Sequence, residues 1–141
     1  MNAAQVRTFI REVNGSNNPF DFYDPKSKKW KHLSDFGAWL SPDNIIYLNK
    51  EYWQTIDDDE QKCLLIHEIG HIHDPSNYNK NKVKRELFAQ MWAIRRSKQL
   101  KLFDLYDINK YFLKSWKNFE WNSNQRRYIL AYRLAKKKRL I

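Results

Sequence analysis

The spacing of apolar residues in the first half of the chain predicts one helix and one β-hairpin. Four apolar side chains share a helical face ahead of the helix-ending pair Asn14 and Gly15: Val6, Phe9, Ile10 and Val13. The polar stretch 17–29 predicts a loop. Two short apolar segments, 36–40 and 45–48, flank a turn-rich tetrapeptide, which is typical of an antiparallel hairpin.

An acidic run at 57–60 predicts the start of the next helix. Negative charge stabilises a helix N-terminus, and apolar residues with helical spacing follow the run. We expect this helix to end near Asp74, because the residue before Pro75 is disfavoured in the α conformation.

The remaining sequence predicts three more helices. A polar loop at 77–81 precedes a second long helix over 82–100. Asp107 is expected to cap a helix that reaches about Trp116, and a final basic helix is expected over 124–140.

Length and composition limit the kinds of protein that this chain can be. A chain of 141 residues fits one domain, which we divide into a core at 1–97 and a basic, aromatic, helical extension at 98–141. Hydrophobic residues make up 42% of the chain, which excludes a disordered basic tail. The single cysteine, Cys63, excludes an intrachain disulfide framework and a zinc cluster built from cysteines.

The location of the protein is predicted from what the sequence lacks. No apolar run approaches the roughly 20 residues that a membrane helix needs. The first residues contain no apolar stretch typical of a secretory signal. With a single thiol, we expect a cytoplasmic or host-intracellular location and leave association with a virion open.

The formal net charge of +10 is unevenly distributed along the chain. Residues 95–141 contain 14 Lys and Arg against 3 Asp and Glu, whereas residues 1–94 are close to neutral. The positive charge therefore indicates where an anionic partner could dock and says little about chemistry in the core.

The sequence His67-Glu68-Ile69-Gly70-His71 carries the chemistry. On a helix, His67 and His71 lie on one face, so their imidazoles can converge on one ion, and zinc takes imidazole ligands. Glu68 could then reach a water bound to that metal and act as the general base. Alternatives to this ligand set are His73, which would need an immediate helix break, and Asp74.

Glu86 is the best candidate for the third ligand. It lies on the next predicted helix, after a loop long enough to reverse the chain. Gly70 on the first helix and small residues, Ala89 and Ala93, on the second would let the two backbones approach closely. The alternative is that Glu86 is a solvated residue within a basic cluster.

These residues resemble the zincin metallopeptidases of the gluzincin type, and most closely the small intracellular ImmA/IrrE-like peptidases. The likeness covers roughly residues 30–97 and rests on three segments: a strand at 44–49, the motif at 67–71, and Glu86-Leu87-Phe88-Ala89-Gln90. It implies an α+β, zincin-like domain with a small antiparallel sheet, one Zn²⁺ per chain, and a substrate aligned on the strand at 44–49.

The resemblance also implies supporting residues. Gln90 stands where these families often place an Asp or Asn that orients the first histidine. For His73, the turn of about 200° from His71 around a continuing helix favours a supporting or a surface role. Zincins also use a His or Tyr to hold the oxyanion, and three tyrosines are candidates: Tyr47, Tyr128 and Tyr132.

Two functions follow from the sequence. The first is a zinc-dependent metallopeptidase that hydrolyses an intracellular protein substrate. The second is a zincin-fold binding or structural module, such as an accessory protein of a mobile element or phage. It would contact nucleic acid or an acidic protein through its basic C-terminal third. Four consecutive cations suggest this contact: Lys136, Lys137, Lys138 and Arg139. Nine aromatic residues between 103 and 132 could add base stacking, but their helical spacing favours packing in the core.

Overall fold

A computed structural model describes residues 1–75 and 81–141. Within these residues the chain forms six α-helices and one three-stranded sheet, which confirms the α+β class in a single small domain. The elements in chain order are α1 (Ala3–Asn14), β1 (Phe20–Tyr23), β2 (Ala38–Leu40), β3 (Ile46–Asn49), α2 (Lys50–Trp53), α3 (Asp58–Ile72), α4 (Lys82–Gln99), α5 (Phe103–Ser115) and α6 (Arg126–Lys137). Most of the polar loop predicted at 77–81 lies outside the described residues.

The sheet is mixed rather than wholly antiparallel. Strands β2 and β3 form the predicted antiparallel hairpin, but β1 pairs with β3 in parallel. The prediction of a loop over 17–29 missed β1 because its alternating pattern spans only four residues between polar, proline-containing segments.

The strand order β1-β3-β2 corrects a second expectation. The segment 44–49, expected to align a substrate, forms the central strand and is hydrogen-bonded on both sides. The strand that contacts α3 from the edge of the sheet is β2. Substrate alignment by strand addition is therefore available at β2 and not at β3.

Helix α3 is the centre of the larger hydrophobic cluster. The Asp57 side chain accepts a hydrogen bond from the Glu60 backbone N–H and caps the helix, as the acidic run predicts. Three buried residues of α3 face the sheet and α1 within this cluster: Leu65, Ile66 and Ile69. Packing on several sides fixes the helix that carries the metal-binding motif.

Helices α4, α5 and α6 pack together around a second hydrophobic cluster. Leu87 and Ile94 of α4 lie in this cluster with Leu113 of α5 and Ala131 of α6. The C-terminal third is therefore packed against a helix of the predicted core. No helix among the described residues has the length and apolarity to cross a bilayer.

The start of α5 differs from the prediction. The helix begins at Phe103, after Leu102, and Asp107 is an exposed residue inside it instead of a cap. The turn from α4 is tight because Lys101 takes a left-handed conformation (φ 58°) and the Leu102 N–H donates to the Ser97 carbonyl. The backbone turn sets the helix start without a side-chain cap.

Candidate metal centre

Two neighbouring helices bring His67, His71 and Glu86 together. The His71 Nε2 lies 2.7 Å from one carboxylate oxygen of Glu86, and the His67 Nε2 lies 3.7 Å from the other. One ligand atom from each residue lies within 4.8 Å of the others. The imidazole rings are nearly perpendicular, with centroids 4.8 Å apart.

This donor set fits a zinc ion. Zn–N and Zn–O bonds of about 2.0–2.1 Å in tetrahedral geometry place ligand atoms about 3.3 Å from one another. The two measured separations from Glu86, 2.7 and 3.7 Å, lie on either side of that value. Two neutral imidazoles and one carboxylate are also a ligand set known from catalytic zinc sites, which leave a fourth position open.

The close approach of α3 and α4 depends on Gly70. A Cβ atom added there would lie 2.5 Å from the Ala89 carbonyl oxygen and 2.9 Å from the Ala89 Cα. The absence of a side chain therefore lets the two backbones touch one residue before His71 and three residues after Glu86.

The charges of the metal-free site are coupled. Burial lowers the pKa of His67, but the adjacent Glu86 carboxylate outweighs this effect and raises it to about 9. Burial favours the neutral form of Glu86, but hydrogen bonds from both histidines hold its pKa well below the usual range. Glu86 is thus an anion that attracts cations to this position.

A buried hydrogen-bond network fixes the orientation of His67. The Gln90 Nε2 donates to the Asn109 backbone carbonyl at 2.8 Å, so the Gln90 Oε1 must face the other way. That oxygen lies 2.9 Å from the His67 Nδ1. Because an amide oxygen only accepts, Nδ1 carries a proton, and Nε2, which faces Glu86, is the nitrogen that gives up its own proton when a metal binds.

The network continues away from the site to Ser97. The Asn109 Nδ2 donates to the Ser97 Oγ at 3.3 Å, and that hydroxyl donates to the Ala93 carbonyl at 2.7 Å. Both Asn109 and Ser97 are essentially inaccessible to solvent. Sequence reasoning missed Asn109, and a polar residue at a core position of α5 was the only available signal.

Glu68 lines the open cleft beside the two histidines. Its side chain is buried, and burial raises the pKa of this carboxyl, while the neighbouring His71 and His67 partly offset the rise. A raised carboxyl pKa suits a group that must both accept and return a proton near neutral pH.

The three candidate tyrosines lie in different places. Tyr128 of α6 lines the cleft, and burial raises its pKa well above the usual range, with the Glu86 carboxylate adding to the rise. Tyr47 stacks on Trp39 in the sheet, and Tyr132 packs in the second hydrophobic cluster. Neither Tyr47 nor Tyr132 lines the cleft, so geometry favours Tyr128 among the three candidates for holding an oxyanion.

His73 and Asp74 lie outside the group formed by the three potential ligands. The His73 Nε2 lies 2.6 Å from the Asn14 Oδ1, and its ring stacks on Trp92 at 4.6 Å. The structure thus places His73 at the contact between α1, α3 and α4, where it touches neither motif histidine in any described contact. Asp74 is buried at the end of α3.

The cleft has a volume of about 1150 Å³ and extends from the sheet edge to the C-terminal helices. Trp116 contributes to its lining and packs edge-on against His67, with centroids 6.2 Å apart. The four terminal cations, residues 136–139, are exposed and do not line it. The C-terminal third thus supplies neutral residues to the site and holds its charge elsewhere.

Comparison with known protein families gives a match that covers most of the chain. The model of a family described as "Putative phage metallopeptidase" matches residues 9–99, which include both helices of the metal centre. No curated protein and no solved structure gives a significant match.

Proposed function

The chain belongs to the phage metallopeptidase family that its sequence matches, and we propose that it is a zinc-dependent peptidase of the gluzincin type that hydrolyses peptide bonds of a protein substrate. His67, His71 and Glu86 would hold the zinc. The observation that carries the proposal is the convergence of these ligands beside a buried glutamate in an open cleft.

The proposed roles of the residues follow from their surroundings. Zinc at this position would supply a Lewis acid for the substrate carbonyl and would acidify a bound water. Glu68 accepts the proton of the attacking water and returns it to the leaving amine. Tyr128 faces the same cleft and donates a hydrogen bond from its hydroxyl to the carbonyl oxygen as negative charge develops there.

The edge of the sheet is the proposed binding site for an extended substrate. Strand β2 contacts α3, and its first residue, Ala38, lines the cleft together with Gly37. An extended peptide added to β2 would hydrogen-bond along the sheet and pass across the metal centre. This arrangement replaces the alignment on 44–49 that the sequence suggested.

The test compares wild type with Glu68→Gln in metal content and proteolysis. We expect one zinc per chain in both proteins by elemental analysis, with cleavage of unfolded protein substrates only by wild type. Glu12→Gln is a matched control because Glu12 is exposed on α1 and is not among the residues that line the cleft. Absence of bound zinc, or cleavage by Glu68→Gln at the wild-type rate, would reject the proposal.

A second candidate function is contact with nucleic acid or an acidic protein through the C-terminal helix. Of the described residues, the cations at 136–139 form no ion pair, and Trp121 is 60% exposed beside Arg133, whose guanidinium lies 5.6 Å from its ring. Exposed aromatic and basic residues favour single strands. Salt-dependent binding of single-stranded DNA that persists in Glu68→Gln and is lost when residues 136–139 become Gln would support it. Salt-independent binding would reject it.

A further inference from the structure

The cleft has a charge opposite to that of the whole protein. Helix α5, helix α6 and the turn between them contribute nine lining residues, and none is charged, although residues 95–141 carry 14 Lys and Arg. The charged residues that line the cleft are one lysine, four carboxylates and the motif histidine His67.

The carboxylates away from the metal centre lie on the wall formed by the sheet edge, α2 and α3. Glu51 pairs with Lys26 at 3.7 Å, so these two charges largely cancel. Asp35 accepts a hydrogen bond from Asn124 at 3.4 Å, and Arg127 lies over the neighbouring Phe36 ring. Glu60 has no ion pair among the described residues and is half-buried, so it is the strongest source of negative charge on this wall.

Two titratable groups on the same wall respond to this charge. Burial raises the pKa of the Cys63 thiol to about 12, and Asp59, Asp57 and Glu60 contribute in the same direction. Burial also raises the pKa of Tyr52, with a further contribution from Glu60. The negative potential therefore extends into the cleft.

We propose, on the premise of the proposed function, that the cleft selects peptide segments carrying a lysine or arginine, with Glu60 as the main determinant. The opposite wall, which includes Phe112 and Trp116, is neutral and aromatic and accommodates apolar side chains of the same segment. A cationic substrate is the opposite of what the net charge of +10 would attract.

The geometry of α3 predicts the position of the lysine or arginine along the substrate peptide. Glu60 precedes His67 by seven residues, or two turns, so both lie on one face of α3. The separation along the axis is about 10 Å. An extended peptide advances about 3.3 Å per residue, so the preferred lysine or arginine lies about three residues from the scissile bond.

The experiment measures binding and cleavage separately. Zinc-loaded Glu68→Gln protein is titrated against three identically labelled apolar decapeptides with Lys, Gln or Glu at the same position, and anisotropy gives the dissociation constants. We expect the order Lys, Gln, Glu from tightest to weakest. Adding Glu60→Gln should reduce the preference for Lys about twofold to fivefold, as for one partly exposed ion pair. Adding Glu12→Gln instead should leave it unchanged.

The same peptides given to wild-type protein separate the two proposals. Cleavage without a preference for Lys, or a preference for Glu, overturns the substrate class and leaves the peptidase standing. Preferential binding of Lys that depends on Glu60, with no cleavage by wild type, supports the cationic ligand and overturns the peptidase. Equal binding of all three peptides, or tightest binding of the Glu peptide, overturns the inference directly.

Discussion

Replacing Gly70 by alanine should separate the two helices of the metal centre. The new Cβ would lie 2.5 Å from the Ala89 carbonyl oxygen, whereas an ordinary contact begins at about 3.4 Å. The contacting atoms belong to the backbone of α4, so no rotamer change relieves the overlap. Restoring normal contact needs a displacement of about 0.9 Å between α3 and α4.

The expected effects on zinc affinity and stability follow from that displacement. Zinc–ligand distances vary by only about 0.2 Å around their ideal values, so a shift of this size between His71 and Glu86 spoils the site. We expect zinc affinity to fall about 10- to 100-fold. Alanine gains about 1 kcal/mol of helix propensity over glycine, but overpacking costs about 1–3 kcal/mol, so the metal-free protein is destabilised by up to about 2 kcal/mol.

Competition with a fluorescent zinc chelator measures the affinity, and urea unfolding measures the stability. Gly37→Ala is the control, because its Cβ meets the ring of Tyr52, which is 44% exposed and can move away. Adding Ala89→Gly to Gly70→Ala should not restore binding, because removal of the Ala89 Cβ leaves the overlapping backbone in place. A Gly70→Ala protein that binds zinc like wild type would refute the reasoning.

Three further predictions concern the groups around the metal. Tyr128→Phe should lower kcat about 100-fold with zinc content unchanged, whereas Tyr132→Phe should not; equal losses in steady-state assays would contradict the assignment. Gln90→Leu removes the acceptor for the His67 Nδ1–H and should weaken zinc binding about 10- to 100-fold, whereas Gln90→Glu retains an acceptor. Chelator titrations that give the same zinc affinity for both variants would argue that Gln90 does not orient His67. In the metal-free protein, burial lowers the pKa of His67, but Glu86 has the larger opposite effect. The resulting pKa is about 9, which is above the value of about 6.5 in the unfolded chain. The contribution of protonated His67 to the free energy of unfolding is therefore complete below pH 6.5 and is lost as the pH rises through 9. Urea unfolding of chelator-treated protein should show this loss, and a flat profile would contradict it.

The predictable parts of the molecule are those set by local sequence. The acidic residues ahead of α3 predicted its start, and the spacing of His67 and His71 on one helix follows from its pitch. The reach of Glu86 to both histidines agrees with the expectation that small residues bring α3 and α4 together.

The parts that sequence did not predict depend on packing between distant segments. Strand β1 is too short to be recognised by alternation, and only its pairing with Ile46–Asn49 stabilises it. Three tyrosines were equivalent by sequence, and only the packing of α6 on α4 brings Tyr128, and neither of the other two, to the cleft. Asn109 reaches Gln90 only because α5 turns back along α4, which no local pattern encodes.

The C-terminal third therefore combines two separable properties. Its inward residues orient His67 through Asn109 and Gln90 and line the cleft with neutral side chains, so shortening the chain after α4 should damage the metal centre. Its positive charge lies outside the cleft, so neutralising residues 136–139 should leave peptide specificity unchanged. The net charge of the protein and the proposed charge preference of its cleft thus have opposite signs. A cationic substrate and an anionic docking partner can then be bound without competing for one surface.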